Sequence, residues 1–216
     1  QILLPEAMVC SRFDQESNEQ LLSWCDVIVI GPGLGTSVAS REREQWFLTA
    51  AAREKKPLIL DADGLNLLAA HPQWYQYLGE HVVLTPHIGE MSRLSGRTIQ
   101  EIQHEIADTA LKCATETGSV CVLKDACTVI ADEKGQMYLN LSGNSGMATA
   151  GSGDVLSGLI GALMAQKLTS YQAAPLGVYF HGLAGDIMVQ TTGLQGLTAS
   201  DLITGIKKVL NIYTQQ

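Results

Sequence analysis

Two adjoining segments organise this chain: Asn140-Leu-Ser-Gly-Asn-Ser-Gly-Met-Ala-Thr-Ala-Gly-Ser-Gly-Asp154 and Val155-Leu-Ser-Gly-Leu-Ile-Gly-Ala-Leu-Met-Ala-Gln166. The first is rich in glycine and small polar residues, which disfavour helix and strand interiors and can expose backbone N–H groups. The second carries apolar residues at helical spacing. A loop that enters a helix in this way presents free N–H groups and the positive end of the helix dipole. The junction is therefore predicted to bind an anion.

Asp154 lies at the start of this predicted helix, where an aspartate has two interpretations. It can cap the helix through its side chain. It can also be a carboxylate held beside a phosphate, placed to take a proton from a hydroxyl group. The spacing leaves both open, and the glycines on either side favour the second.

Composition limits the class of protein. The chain has 216 residues, 46% of them hydrophobic, which is enough for one globular α/β domain. No apolar run approaches the roughly 20 residues of a membrane span, and the net charge of −8 argues against nucleic acid as a partner. The cysteines are five, an odd number without a C-x-x-C pair, and predict reduced thiols in a cytoplasmic protein.

Strand and helix patterns alternate along the chain. Strands are predicted at 26–30, 57–60, 81–84, 119–123, 128–131 and 136–139, the last two as a hairpin. Helices are predicted at 17–25, from 36–37 to 54, after 61–66 to about 70, and at 88–95, 98–117, 155–166, 171–191 and 199–213. The run 26–30 has the composition of a strand buried on both faces. This alternation predicts a parallel sheet with helices on both sides.

Ligands of such sheets bind at the carboxyl ends of the strands. The residues predicted at those ends are Gly31 to Gly35, Asp61 and Asp63, His87, Lys124 and, after the hairpin, Asp154. Glycines, carboxylates, an imidazole and an ammonium are thus delivered to one edge of the sheet. Jointly they predict a binding site.

Each of these motifs also has a purely structural interpretation. Gly31-Pro-Gly-Leu-Gly35 lacks the spacing of a dinucleotide fingerprint, so it is either a tight turn or a backbone nest for a phosphate or amide. Asp61 and Asp63 suit Mg²⁺, or else a loop and a helix cap, and Asn66 could serve either arrangement.

The imidazole and the ammonium are equally open. His87, followed by Glu90, is either a ligand contact or a structural histidine, and Lys124 is either a phosphate ligand or a solvated lysine. The glycines of His181-Gly-Leu-Ala-Gly-Asp186 predict close packing, for which the helix after the glycine-rich loop is the candidate partner. His181 itself is interpreted as structural.

Six motifs, taken in order, resemble one protein family. They are 26–35 (DVIVIGPGLG), 61–66 (DADGLN), 84–90 (LTPHIGE), 122–128 (VLKDACT), 143–154 (GNSGMATAGSGD) and 181–186 (HGLAGD). The glycine loop resembles the anion hole of the ribokinase-like superfamily. The whole set is similar to its NAD(P)H-hydrate dehydratases, which are often fused behind an NAD(P)H-hydrate epimerase. The resemblance implies a ribokinase-like three-layer α/β/α sandwich with a mostly parallel sheet, over residues 1–216 as a single domain.

The resemblance also implies a metabolite-repair activity. The S-epimer of hydrated NADH or NADPH would be dehydrated at the expense of ADP, with release of AMP and phosphate, or of ATP in eukaryotic members. Gly35, His87 and Asp154 would contact the hydrate, and Asp154 would act as the base. The nucleotide would be held by Lys124, Asp125, Ala126, Cys127, Thr128 and Gly153, with supporting roles for Asn144, Gly151, Asp61, Asn66 and Glu90. Mg²⁺ is expected on the phosphates, and a homo-oligomer is expected from the family.

Two departures from the family pattern stand out. A K-G-x-x-G segment with the first strand and helix of the family is not found before 5–9 (PEAMV), so the chain is expected to lack that first unit. Asp125 stands where glycine is frequent, so the loop shape there is expected to differ. Two alternatives are retained: a kinase of a vitamin-precursor alcohol from the same superfamily, and a nucleotide-binding module without catalysis.

Overall fold

The computed structural model describes residues 7–10 and 13–214. Its strands are β1 (Ile28–Ile30), β2 (Leu58–Leu60), β3 (Val82–Leu84), β4 (Val120–Leu123), β5 (Thr128–Ala131) and β6 (Met137–Asn140), and they follow this order across one sheet. β1 to β4 are parallel, whereas β5 and β6 are antiparallel to their neighbours. The predicted mostly parallel sheet and its hairpin are confirmed.

Helices connect these strands. They are α1 (Gln15–Trp24), α2 (Val38–Glu54), α3 (Ala62–Ala70), α4 (Ile88–Ser95), α5 (Ile99–His104), α6 (Ile106–Thr117), α7 (Ser152–Ala165), α8 (Ser170–Thr192) and α9 (Ala199–Thr214). Short 3₁₀ turns lie at Pro72–Tyr77 and Ser145–Met147. The single helix predicted over 98–117 is two helices, because the chain breaks at Glu105, which has a non-helical backbone conformation.

The alternation of side chains along each strand divides the core between the two faces of the sheet. Ile59, Val83 and Val122 face one side, where they pack under α7, α8 and α9. Leu60 and Leu84 face the other side, where they pack under α1, α2 and α3, and a further cluster lies between the sheet and α4 to α6. These are the three layers of an α/β/α sandwich.

β1 departs from its predicted environment. It lies at one edge of the described sheet, and its central residue, Val29, is 42% exposed. Strand composition alone predicted burial on both faces, but the position of a strand within the sheet is set by tertiary pairing. In the described ranges, 7–10 and 13–214, no helix has both the length and the apolar character needed to cross a membrane.

The turn after β1 requires glycine at its first position. Gly31 has φ +126°, and a Cβ there would lie 1.7 Å from the carbonyl oxygen of Asp61. This close approach joins the end of β1 to the end of β2. The carboxyl ends of β1 and β2 therefore lie side by side. The sequence predicted this arrangement from the glycines after the first strand and the aspartates after the second.

Candidate functional site

The start of α7 is built to leave N–H groups available. Gly151 occupies the N-cap position with φ +81°, and no described side chain caps the helix. The N–H groups of Gly153 and Asp154 fall within the first turn, where a helix provides no partners. Asp154 is the third residue of α7 and is exposed, so the interpretation of Asp154 as the N-cap is wrong. The helix begins three residues earlier than the apolar pattern indicated.

Lys124 brings a cation to the start of α7. Its Nζ lies 3.3 Å from the position that a Cβ on Gly153 would take, so glycine leaves this approach open. The backbone of Lys124 extends β4, where it pairs with His87 and donates from its N–H to the carbonyl of Pro86 at 2.8 Å. The lysine at the end of one strand and the histidine after the previous strand are therefore neighbours.

Asp61 fixes the position of this ammonium. Its Oδ1 lies 2.9 Å from Lys124 Nζ, and its Oδ2 accepts a 2.6 Å hydrogen bond from Ser157 on α7. Thr85 Oγ1 lies 3.5 Å from Ser157 Oγ in the same buried network. Burial alone would raise the pKa of Asp61, but Lys124 and the Ser157 hydroxyl outweigh it and hold that pKa below its ordinary value. The carboxylate is thus charged and paired at neutral pH.

This pairing answers the question of Asp61 as a magnesium ligand. Its oxygens already accept from Lys124, Ser157 and the N–H of Ala62, and it is also the N-cap of α3. Among residues 7–10 and 13–214, no three His, Cys, Asp or Glu side chains form a group that could hold a metal ion. The structure therefore favours a structural role for Asp61 over direct coordination, but as the cap of α3; Asp63, the residue expected to cap that helix, lies inside its first turn.

A second carboxylate holds the glycine turn after β1. Asp63 accepts from the N–H of Gly35 at 2.9 Å and from the amide of Asn66 at 3.3 Å. The Asn66 oxygen accepts in turn from Arg93 Nε at 2.7 Å. Asn66 is therefore engaged in supporting Asp63, and Gly35, with φ +71°, is held at the same edge of the sheet as Asp61.

His87 is both a helix cap and an exposed imidazole. Its Nδ1 accepts from the N–H groups of Gly89 and Glu90, and Glu90 returns the contact by accepting from the His87 N–H at 2.8 Å. Burial raises the pKa of Glu90, whose carboxylate also lies 3.4 Å from His87 Nε2. The imidazole itself is 55% exposed and borders the edge of the sheet that carries Lys124. Its structural and ligand-contact interpretations are therefore compatible.

The loop after Lys124 lies at the same end of the sheet. Asp125, Ala126 and Cys127 are exposed, and Thr128 begins β5, which returns antiparallel to β4. The predicted nucleotide residues 124–128 thus form one continuous surface segment.

The glycine-rich loop before α7 is held by α8. Asp186 accepts from the N–H of Gly143 and from the side-chain amide of Asn144, both at 2.9 Å. A Cβ on Gly182 would lie 2.1 Å from Ser142 Oγ. The glycines of 181–186 therefore pack against the loop itself, whereas the prediction placed them against the helix that follows it. Both polar atoms of the Asn144 side chain are therefore engaged within the loop and with α8, because its side-chain oxygen also accepts a hydrogen bond from the N–H of Gly146.

His181 lies beneath the same junction. It is 8% exposed, and burial lowers its pKa to about 4, against the opposing effect of a hydrogen bond to the Ser152 backbone. The imidazole is therefore neutral at pH 7. Its structural interpretation agrees with this burial.

Sequence reasoning missed two buried polar residues near the site. Ser157 lies one turn after Gly153 on the buried face of α7, and Glu44 lies between Ser40 and Leu48 on the buried face of α2. In each case the available signal was a polar residue at helical spacing within an apolar stripe. The partner of Ser157 is 96 residues away in the sequence, so its role could not be derived from spacing.

The fold is that of the ribokinase-like superfamily. A solved structure from Enterococcus faecalis V583, described as a ribokinase-like superfamily protein, matches with a TM-score of 0.78 and 28% identity, over 91% of this chain and 66% of that one. The family within this superfamily is shown by a further comparison. A family model described as NAD(P)H-hydrate dehydratase matches residues 1–208, and the chain belongs to that family.

Two relatives have more specific descriptions. The Bacillus subtilis ADP/ATP-dependent NAD(P)H-hydrate dehydratase, co-crystallised with ATP/Mg²⁺, matches with a TM-score of 0.74 and 30% identity, over 87% of this chain and 65% of that one. The ADP-dependent (S)-NAD(P)H-hydrate dehydratase of Neisseria meningitidis serogroup B is 34% identical over 98% of this chain and 70% of its own length. Curated bifunctional NAD(P)H-hydrate repair enzymes also match, and the chain spans only 35% to 41% of the length of the first five.

Proposed function

We propose that this chain carries the site of an ADP-dependent (S)-NAD(P)H-hydrate dehydratase, which returns the hydrated cofactor to NADH or NADPH and releases AMP and phosphate. The observation that carries the proposal is the junction at α7. It combines an uncapped helix start, the Lys124 ammonium beside Gly153, and an exposed carboxylate, Asp154, in the same turn. An anion site with an adjacent base suits phosphoryl transfer to a hydroxyl group.

The nucleotide is assigned to the Lys124 side of the site. The ammonium of Lys124 and the N–H of Gly153 would bind its phosphates, since helix starts and lysines are both ordinary phosphate ligands. The exposed segment Asp125, Ala126 and Cys127, with Thr128, would border the nucleoside part. Asp61 would hold Lys124 in place, and Gly151 would set the start of α7.

The hydrated nicotinamide is assigned to the other side. Gly35 and His87 would contact it, supported by Asp63 and Glu90 respectively. Asp154 would take the proton from the ring hydroxyl while that oxygen receives the terminal phosphoryl group of ADP, and AMP would leave. The carbon–oxygen bond would then break with departure of phosphate, and loss of a proton from the neighbouring ring carbon would restore the double bond.

Magnesium fits this site as an ion carried by the nucleotide. The described residues supply no cage of carboxylates, and Mg²⁺ commonly keeps several waters and binds through substrate phosphates with one or two carboxylates. When bound, it would neutralise phosphate charge.

Partners and location follow from the same proposal. Reduced thiols and the repair of a soluble cofactor support a cytoplasmic protein, and the names of the bifunctional relatives support work alongside an NAD(P)H-hydrate epimerase activity. A homo-oligomer is proposed as well. The acidic net charge supports the expectation that nucleic acid is not a partner.

The test is recovery of absorbance at 340 nm from hydrated NADH mixed with this chain and Mg²⁺, with ADP or ATP added separately. Recovery with ADP is expected, and recovery only with ATP would correct the phosphate donor. If no recovery occurs with either, the dehydratase assignment for this chain is wrong. Phosphorylation of a hydroxyethylthiazole-type alcohol would then support the kinase alternative, and ADP binding without any turnover would support a binding module.

A further inference from the structure

Arg93 carries a positive charge that no carboxylate neutralises in the part of the chain that the structure describes. It lies on α4 and is exposed to solvent. The ion pairs among the described residues include Lys124 with Asp61, but Arg93 takes part in none of them. Its charge is therefore available to a ligand, in a chain whose net charge is −8.

The Arg93 side chain is nevertheless held in one orientation. Its Nε donates to the side-chain oxygen of Asn66 at 2.7 Å. The amide of Asn66 donates to Asp63 at 3.3 Å, and the other oxygen of Asp63 accepts from the N–H of Gly35 at 2.9 Å. Three consecutive hydrogen bonds thus connect Arg93 to Gly35, a proposed contact of the hydrated ring. Because Asn66 is uncharged, it orients the guanidinium without neutralising it.

The two terminal nitrogens of Arg93 remain free for a ligand. A guanidinium carries five N–H groups, and within the described residues only the one on Nε is used. Because Nε is held by Asn66, the terminal nitrogens form a fork with a defined direction. Such a fork matches two oxygens of a phosphate, to which arginine binds bidentately.

The position of Arg93 favours a phosphate of the hydrated cofactor over those of ADP. Lys124 and Gly153, the residues assigned to ADP, lie on β4 and α7, whereas Arg93 is connected to α3 and to the turn after β1. Arg93 is six residues, or about 9 Å along the helix, from His87, and helical side chains lean toward the helix start. A ribose separates the nicotinamide from its nearest phosphate, so a phosphate ligand should lie at some distance from the ring contacts.

We propose that Arg93 binds a phosphate group of the hydrated dinucleotide through its terminal nitrogens, and that Asn66 orients it. The placement of the nicotinamide, and hence this inference, rests on the proposed function. NADH and NADPH share the two phosphates that join their nucleosides, and NADPH has a third on the adenosine ribose. A contact with the shared phosphates contributes to the binding of both dinucleotides, whereas a contact with the third selects NADPH.

The test is the affinity for NADPH and NADH, the products of the proposed reaction, measured through the fluorescence of the reduced nicotinamide. Arg93→Gln is expected to weaken NADPH binding by about tenfold or more, because charge-assisted hydrogen bonds are lost. Arg93→Lys keeps the charge without the fork and should recover part of the affinity. An equal loss with NADH assigns the contact to the shared phosphates, and a loss confined to NADPH assigns it to the third.

Three controls separate this contact from a general effect. ADP affinity, measured by calorimetric titration, should stay within about twofold of wild type in Arg93→Gln. Reduced nicotinamide riboside has no phosphate and should bind to wild type and to Arg93→Gln equally. Arg53→Gln removes the same charge from the last turn of α2, away from the site, and should bind NADPH as wild type does. Circular dichroism checks that each variant is folded.

Any of three results would overturn the inference. They are wild-type affinity of folded Arg93→Gln for both dinucleotides, an equal loss of affinity for the riboside and for NADPH, and a wild type that binds neither dinucleotide. The second would show that Arg93 only supports Asn66 and the turn at Gly35. A wild type that restores no absorbance at 340 nm, yet binds NADPH through Arg93, would instead refute the proposed function and leave the phosphate contact standing.

Discussion

At the scale of single residues, Glu44 shows most clearly what burial does to chemistry. It is 0% exposed, and neither carboxylate oxygen has a hydrogen-bond partner among the described residues. Burial, with a smaller contribution from Asp63, raises its pKa to about 8. The side chain is therefore protonated in the folded protein at neutral pH, while the same group in the unfolded chain is ionised.

This difference predicts that stability falls as pH rises. Below the unfolded pKa of about 4.5 both states hold the proton. Between that pH and about 8 only the unfolded state releases it, so unfolding becomes easier by up to about 1.4 kcal/mol for each pH unit. Glu44→Gln should remove most of this slope and unfold later than wild type at pH 8. Urea unfolding at pH 5, 6.5 and 8 measures the effect.

Glu42→Gln is the matched control, because Glu42 lies on the exposed face of the same helix. It should keep the wild-type slope. An unchanged slope in Glu44→Gln would show that Glu44 does not carry this buried proton.

The site residues show how much of the site could be predicted from residue types and their positions in the sequence. Asp61, His87, Lys124 and Asp154 were all predicted at one edge of the sheet from their positions after strand patterns. In the structure His87 and Asp61 contact Lys124, and Gly153, next to Asp154, lies beside the same ammonium. The pairing of Lys124 with Asp61, 63 residues earlier, was not predicted. A contact across the sheet depends on strand order and register, which local spacing does not contain.

At the scale of elements, strands were predicted well and their environments less well. Runs of β-branched and leucine residues marked the strands because such side chains pack on a pleated surface. Whether β1 was central or at an edge depended on pairing. The start of α7 was predicted late because Ser152 and Gly153 have poor helix propensity. In the structure Ser152 is buried and its backbone is hydrogen-bonded to His181 of α8, a tertiary contact that local spacing does not contain.

α7 offers a matched pair of glycines for testing its start. Gly153→Ala places a methyl group 3.3 Å from Lys124 Nζ, whereas Gly158 has nothing within 4 Å of its Cβ position. Both changes should favour the helix by up to about 1 kcal/mol. Only Gly153→Ala should weaken ADP binding, by about tenfold, because it displaces the ammonium from the helix start. Calorimetric titration of both variants measures this.

Equal ADP affinities for the two variants and wild type would contradict the placement of phosphate at Gly153 and Lys124. Their thermal stabilities provide the control, since both should remain at or above the wild-type value.

At the scale of the whole molecule, net charge shapes ligand binding. A protein of net charge −8 repels a nucleoside diphosphate such as ADP at long range. Lys124, the cation that the structure shows at this site, is already paired with Asp61. Binding should therefore depend on Mg²⁺ as a counter-charge. Removal of Mg²⁺ with a chelator is expected to weaken ADP binding at least about tenfold, consistent with charge interactions of 1–2 kcal/mol.

Adenosine serves as the control because it carries no phosphate, and its binding should not respond to the chelator. ADP affinity that is the same with and without Mg²⁺ would show that the backbone N–H groups and Lys124 suffice for the phosphates.

The most direct test of the site as a whole is Asp154→Asn, measured in parallel for ADP affinity and for recovery of absorbance at 340 nm from hydrated NADH. The substitution keeps the size of the side chain and removes its ability to accept a proton. The predicted result is ADP affinity within about threefold of wild type with turnover reduced by about 10²–10⁴-fold, the usual contribution of a general base. Unchanged turnover would remove Asp154 from the chemistry and contradict the assignment of the α7 junction as the catalytic centre.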